Sequence, residues 1–534
     1  MMAQPHNPQV EQAKTLGQLL PGVALSAEQQ VLSVSAITAD SRQVVPGGLF
    51  VACPGLSVDG RQFAAQALAA GAVAVIAEVQ GLSDELAAEP RVIAVNELAQ
   101  QLSAIAGRFY GEPTGQLHLT GITGTNGKTT CSQLLAQLQQ RLFAERGNDQ
   151  QAGFIGTLGY GLVDGDLVET GMTTPDAIGT QQCLAQLKNN GAGSVVMEVS
   201  SHSLEQGRVA ALPFHTAIFT NLSRDHLDYH GDMGSYLAAK AQLFKQSGLK
   251  LAVLNSDDTA SATIAAQLSS EVACYHYGID NPNADVTATD VVLTEQGICA
   301  KVSTPWGDGE LRSPLLAHFN LSNLLAVITA ACGQGWSLDQ VLAQLPELTA
   351  VPGRMELVNP QVEADLLPAV VVDYAHTPDA LEKALTSLRS HCSGLLWCVF
   401  GCGGDRDSGK RSQMGEVAAR LADCPVVTSD NPRSENPDQI ILDILAGMPD
   451  NAAVRVAPDR ATAIGEAIAC AADDDCVLIA GKGHETYQEV NGERLPFSDV
   501  VQAVDLLQQR ALKQPVGDLA AHLGPVGLGG DDEH

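Results

Sequence analysis

The segment Gly121-Ile122-Thr123-Gly124-Thr125-Asn126-Gly127-Lys128-Thr129-Thr130 gathers the residue types that hold a nucleotide phosphate. Its glycines let backbone N–H groups approach phosphate oxygens, Lys128 adds a mobile positive charge, and Thr129 offers a hydroxyl to Mg²⁺. The strict pattern G-x-x-x-x-G-K-[ST] is not met, because the residue five before Gly127 is Ile122 and Gly121 comes one position too early. The loop is therefore a variant, and its competing reading is a glycine-rich turn capping an ordinary helix. The expectation is ATP, held by Gly124, Thr125, Asn126, Gly127, Lys128, Thr129 and Thr130.

Three further side chains could join this chemistry. Glu198 ends the apolar run 194–197, and His226 follows soon after the strand-like 217–220. In an open α/β sheet the carboxyl ends of the strands face the ligand crevice, so Thr129, Glu198 and His226 are expected to converge on Mg²⁺, with phosphate oxygens completing the shell. For His226 alone a hydrogen-bonded structural role is an equal reading, and His230 is left as structural or substrate-facing. Lys240 lies between Tyr236 and Phe244 at i−4 and i+4, on an apolar helical stripe. The default for such a lysine is to lay its stem along apolar surface and send the ammonium to water.

These residues need strands that end together and helices that follow them. β-like runs at 72–77, 194–199, 216–220, 370–372, 397–400 and 477–480 alternate with Ala/Leu/Gln-rich helical stretches. That alternation predicts an α/β protein with mainly parallel sheets. Turn-rich breaks near Gly111–Gly115 and Val351–Gly353 divide the 534 residues into domains at 1–113, 114–351 and 352–515, with a disordered tail over 516–534. A formal charge of −31 with no compact basic segment argues against nucleic acid, although a few arginines in a cleft can still take an anionic substrate. Scattered cysteines, a polar start and no long apolar run predict a cytoplasmic protein without a membrane span.

Several separate motifs, spread from about Asp40 to the region of Asp505, carry a family resemblance. They are Asp40-Ser41-Arg42, Pro46–Phe50, the GTNGKT loop, Glu198–His202, Asp225–Gly231, Asp373–Pro378, Asp430–Arg433 and Gly481–Glu485. Through them the chain resembles the Mur ligases of peptidoglycan synthesis, and among these the diaminopimelate-adding ones. The resemblance implies three α/β domains: an N-terminal UDP-binding domain, a central P-loop ATP-binding domain and a C-terminal Rossmann-like domain. It implies ATP-dependent amide synthesis, joining meso-diaminopimelate to the D-glutamate γ-carboxyl of UDP-N-acetylmuramoyl-L-Ala-D-Glu through an acyl phosphate. A monomer is expected.

Residue by residue, the resemblance implies that Lys240 is carbamylated by CO₂, so that a carboxylate replaces an ammonium and serves Mg²⁺ with Thr129, Glu198 and His226. Lys128, His226, Lys240 and Arg354 take the catalytic roles, Arg354 reaching the nucleotide from the third domain by domain closure. Asn320, Asn323 and Asp373 match nucleotide contacts, helix capping being an equal reading for either asparagine alone. Ser41, Thr173, Thr174, Ser200, Gln206 and Arg208 match UDP-muramoyl-dipeptide contacts, whereas Met172 is given none.

Diaminopimelate would meet Arg406, Asp430, Asn431, Pro432, Arg433, Gly481 and Glu485. Arg433 is the specificity residue, because a guanidinium fork can grip the carboxylate that diaminopimelate has and lysine lacks. Its plain reading is a turn residue paired with Glu435. The alternatives are a lysine-adding relative, a folylpolyglutamate-synthetase-like ligase, and a non-catalytic nucleotide-binding scaffold.

Overall fold

The computed structural model describes residues 13–513 apart from 56–57, 295–296, 361, 363–366 and 450–452, so the expected disordered tail lies outside the described residues. Among the described residues the chain forms two units, one running from 13 to 291 with 299–313 and 320–349, the other holding 314–319 and running from 350 to 513 together with the described part of 292–298.

Within the first unit, four parallel strands, Ala36–Thr38, Gly48–Ala52, Ala74–Glu78 and Val92–Val95, make a small sheet in that order. Helix Leu98–Phe109 presents Leu98, Leu102, Ile105 and Phe109 to the same core as Leu49, Val51 and Ile76, an i, i+4, i+7 apolar face over a two-residue strand period. Ala177 and Ile178, at the start of helix Ala177–Asn189, enter that core, which joins the small sheet to the next layer.

The large sheet has ten strands. At its centre His118–Thr123 lies between Ala192–Glu198 and Thr216–Phe219, parallel to both. Gln151–Gly156 pairs parallel with Ala192–Glu198, and Leu251–Asn255 with Thr216–Phe219. In register, Glu198 stands opposite Ile122 and Phe219 opposite Thr123, so three strands deliver their carboxyl ends to one edge.

The second unit contains a six-stranded sheet, five strands of which run parallel, with Glu356–Leu357 added antiparallel at one edge. Its central strands are buried on both faces. Leu396, Cys398 and Phe400 face one core and Trp397 and Val399 the other; Leu478 and Ala480 share the first, Val477 and Ile479 the second. Strands covered on both faces read as continuous apolar runs, which is why 370–372, 397–400 and 477–480 stand out in sequence. The α/β class and the mainly parallel sheets agree with the sequence expectation.

Candidate active site

The loop follows strand His118–Thr123 and opens helix Lys128–Glu145. Gly124 and Gly127 have φ of 154° and 83°, and a Cβ on Gly127 would stand 2.7 Å from Asn323 Oδ1. Gly121 has another role: it sits inside the strand, where a Cβ would meet Leu243 at 2.9 Å and Phe214 at 3.0 Å, so it serves packing and not phosphate contact. Asn221, just past strand Thr216–Phe219, holds the loop: its carbonyl accepts from Thr125 N at 2.8 Å, and its side chain accepts from Asn126 N at 2.9 Å and donates to Asn126 O at 3.1 Å.

Two lysines share this loop. Lys128 Nζ donates to Gly124 O at 2.8 Å and Thr125 O at 2.9 Å; Lys240 Nζ donates to the same Gly124 O at 2.8 Å. Lys240 is 1% exposed and its Nζ lies 4.3 Å from the centre of the Tyr236 ring. The solvent-reaching reading of Lys240 is thereby overturned. Burial first, then the charge of Lys128, pushes its ammonium down to about 6, so near neutral pH it is largely a free amine.

Glu198 is fully buried and receives Thr129 Oγ1 at 3.0 Å, Thr157 N at 2.9 Å and Thr157 Oγ1 at 3.2 Å. Burial raises its carboxyl above the ordinary range, although Lys128 opposes this. A hard divalent cation suits this pair of oxygen donors and would relieve the desolvated carboxylate, so Thr129 and Glu198 fit Mg²⁺. Among the described residues no cluster of three or more His, Cys, Asp or Glu forms a metal cage. His226 is exposed, left-handed at φ 53°, and 3.5 Å from Asp225 Oδ2 through Nε2. Its ring stands edge-on to Tyr236 at 6.0 Å, which places it one aromatic ring away from Lys240. His230 is buried, with contacts to Ser201 Oγ at 2.9 Å and Glu205 at 3.2 Å.

Asn320 and Asn323 lie inside helix His318–Gly333 and bond to each other at 2.9 Å, so neither is a cap. Asn323 also accepts from Cys131 Sγ at 3.4 Å, which sets its amide beside the first turn of the loop helix. Thr130 occupies that same turn.

A polar chain runs from Glu198. Thr157 Oγ1 lies 3.1 Å from Thr173 Oγ1, while Thr174 Oγ1 donates to Glu198 O at 2.9 Å and lies 3.4 Å from Ser200 Oγ. Arg208 donates to Thr174 O at 2.8 Å and Gln206 Oε1 at 2.6 Å, and Gln206 Nε2 reaches Tyr229 OH at 3.1 Å. Met172, given no contact from sequence, has Sδ 3.5 Å from Arg208 Nη1. Ser41 stands apart, in the turn Ser41–Gln43, whose Asp40 carboxylate caps Arg42 N at 2.9 Å and pairs with its guanidinium at 2.8 Å.

In the second unit, Asp373 accepts from Met355 N at 2.7 Å, and burial pushes its carboxyl up to about 6. The neighbouring Arg354 lies over the Tyr374 ring at 4.8 Å with its Nε buried and without a partner. Asp373 thus organises the turn that presents Arg354.

Asp430, Asn431, Pro432 and Arg433 follow strand Cys424–Val427, and Gly481 to Glu485 follow strand Cys476–Ala480. Asn431 Nδ2 donates to Glu485 Oε2 at 2.8 Å, and a Cβ on Gly481 would meet Asp430 Oδ2 at 2.5 Å. Arg433, at φ 51°, donates from Nη1 to Gly404 O at 2.8 Å and lies 3.5 Å from Glu489 Oε2. The plain reading, a pair with Glu435, is not seen among the described residues, where Glu435 takes the buried Arg411 at 2.8 Å. Arg406 is exposed on the adjoining loop, its Nη1 on Asp405 O at 3.1 Å.

Sequence reasoning passed over Thr157, Asn221, Tyr236 and Lys482. Tyr236 and Lys482 stood in motifs already singled out; Thr157 and Asn221 follow strand ends and carry no local signature.

A glycine loop heading a helix, a buried glutamate on its threonine, and a parallel sheet ending around both define a P-loop α/β protein built for a nucleotide phosphate. The chain belongs to the Mur ligase family: it matches the Mur ligase family catalytic domain at 33–110, the Mur ligase middle domain at 122–331, and the Mur ligase glutamate ligase domain at 353–483. It is 50% identical over 492 residues, 92% of this chain and 98% of the relative, to the UDP-N-acetylmuramoyl-L-alanyl-D-glutamate–2,6-diaminopimelate ligase of Ectopseudomonas mendocina (strain ymp). A solved ligase of that same description is 35% identical, with a TM-score of 0.72 over 93% of this chain and 99% of the other. MurF ligase from Thermotoga maritima in complex with ADP shares the fold at a TM-score of 0.58 and 18% identity, over 90% and 98% of the two chains.

Proposed function

We infer that this protein is an ATP-dependent ligase that adds meso-diaminopimelate to the D-glutamate γ-carboxyl of UDP-N-acetylmuramoyl-L-Ala-D-Glu in peptidoglycan precursor synthesis. The carrying observation is the 50% identity, over 92% of this chain, to a ligase of that description, joined to a loop, glutamate and lysine arrangement suited to phosphoryl transfer. A γ-carboxylate oxygen attacks the γ-phosphorus of ATP and ADP leaves; the amine then attacks the acyl carbon, phosphate leaves, and the amine loses a proton. Phosphoryl transfer asks mainly for positioning and charge neutralisation. Lys128 supplies charge beside the loop, and Arg354, stacked on Tyr374, carries a guanidinium for the nucleotide when the domains 1–113, 114–351 and 352–515 close. Asn320 and Asn323 are assigned to the adenine, with Asp373 holding the Arg354 turn.

Thr129 and Glu198 would hold Mg²⁺, which neutralises phosphate charge when bound. Lys240 is the candidate for carbamylation: a largely neutral amine is the form that attacks CO₂, and a carbamate there would set a negative charge beside Lys128, whose Nζ shares the Gly124 carbonyl. His226 completes this group through Tyr236. Thr173, Thr174, Ser200, Gln206 and Arg208, with Ser41 of the small sheet's domain, are assigned to the UDP-muramoyl dipeptide. Arg433, Arg406, Asp430, Asn431, Pro432, Gly481 and Glu485 are assigned to diaminopimelate. No helix among the described residues is long and apolar enough to cross a membrane; a cytoplasmic monomer remains part of this proposal.

The test is phosphate release from MgATP. It should require both the UDP-muramoyl dipeptide and diaminopimelate; release that ignores either one would refute the assignment.

A further inference from the structure

Lys482 is 0% exposed in the second unit, a rare position for a lysine, and its surroundings explain why it is kept there. Its Nζ donates to Asn431 Oδ1 and to Glu485 Oε2, each at 3.0 Å, and lies 5.7 Å from the centre of the Tyr487 ring. Asn431 Oδ1 also receives Glu489 N at 2.9 Å, while its Nδ2 donates to Glu485 Oε2 at 2.8 Å. The same Glu489 lies 3.5 Å from Arg433 Nε through its side chain.

We propose that Lys482 is the positioning residue of the amino-acid site, fixing the Asn431 amide in one orientation and the Glu485 carboxylate in one rotamer so that Glu485 receives the ammonium of diaminopimelate. Two donors on Oδ1 leave Asn431 only one way to face, with its NH₂ toward Glu485. Two donors on Oε2, the Lys482 ammonium and the Asn431 amide, fix the rotamer of Glu485 and direct Oε1 to the incoming ammonium. Lys482 thus acts through Glu485 and does not touch the substrate. Among the described residues the buried ammonium forms one ion pair, with Glu485, and so offsets that carboxylate's charge in the site.

This inference rests on the function proposed above. The experiment measures kcat and KM for diaminopimelate and for ATP in wild type, Lys482→Met, Glu485→Gln and the double variant. Lys482→Met should raise KM for diaminopimelate more than about tenfold, with KM for ATP within about twofold, and the double variant should match Glu485→Gln to within about threefold. An unchanged diaminopimelate KM, an equal rise in both KM values, or multiplying effects in the double variant would each overturn the proposal. If Lys482→Met fails to fold by circular dichroism, Lys482→Gln, which keeps one donor, carries the same test with the same outcomes. Wild-type enzyme that makes no product with diaminopimelate would refute the functional reading instead.

Discussion

The phosphate loop and the proposed amino-acid site solve the problem of buried charge in opposite ways. Around Gly124 two lysines share one carbonyl, one of them wholly buried, and the nearby carboxylate of Glu198 is raised by burial. Around Asn431 the buried Lys482 meets Glu485 at 3.0 Å and the amide closes the triangle. The first arrangement is under electrostatic tension and is built to be completed by anions and a cation; the second is paired in advance and built to recognise shape and charge. Under the proposed function, catalytic charge is stored where it is needed only transiently, and specificity where nothing has to change.

Breaking the tense region should cost most. Lys240→Ala is expected to abolish turnover, and near-normal rates in that variant would sink its catalytic assignment. Lys240→Met sharpens the point by separating function from stability. Because the folded amine titrates at about 6, far below its unfolded value, the unfolded chain binds more protons between pH 6 and 10, and stability rises with pH through that window. Lys240→Met should therefore raise the melting temperature of the unliganded, CO₂-free protein more at pH 6 than at pH 9; the reverse order would contradict a depressed amine.

Next, Glu198→Gln removes the carboxylate that Thr129 and Thr157 orient, and should lower kcat by at least about a hundredfold, as expected when several kcal/mol of metal-borne charge stabilisation is lost. Titration of Mg²⁺ in that variant is the check, since wild-type Mg²⁺ dependence would exclude Glu198 as a ligand. Arg433→Ala, in the paired region, should raise KM for diaminopimelate more than about tenfold while narrowing the preference over lysine, from the roughly 2–5 kcal/mol carried by a buried charge pair. An unchanged preference would move specificity elsewhere. The smallest effect belongs to Gly127→Ala, which puts a Cβ at φ 83° against Asn323 Oδ1 and should destabilise the protein by roughly 1–3 kcal/mol in chemical denaturation.

Legibility differed between the same two regions. The buried strands were readable because both faces are covered, which leaves continuous apolar runs, and Glu198 was readable because it ends one of them. Lys240 stood out as a lysine on an apolar stripe, yet whether its ammonium reached water depended on Gly124, which is 116 residues away in sequence. Asn221 and Thr157 were invisible for a related reason: each is an ordinary residue after a strand, made relevant by which strand lies beside it in the sheet. Arg433 was found by type, but its partner Glu489 was not, since the backbone bridge between Arg433 and Val490 brings in a segment far along the chain. Gly121 was misread because a glycine in a motif and a glycine packed under Phe214 look alike in sequence.

The most direct test of the account is a competition. Purified protein, MgATP and UDP-N-acetylmuramoyl-L-Ala-D-Glu would be incubated with equal meso-diaminopimelate and L-lysine, and the nucleotide product identified by mass. The account predicts the diaminopimelate tripeptide with stoichiometric phosphate; a lysine tripeptide, or ATP turnover without either product, would contradict it.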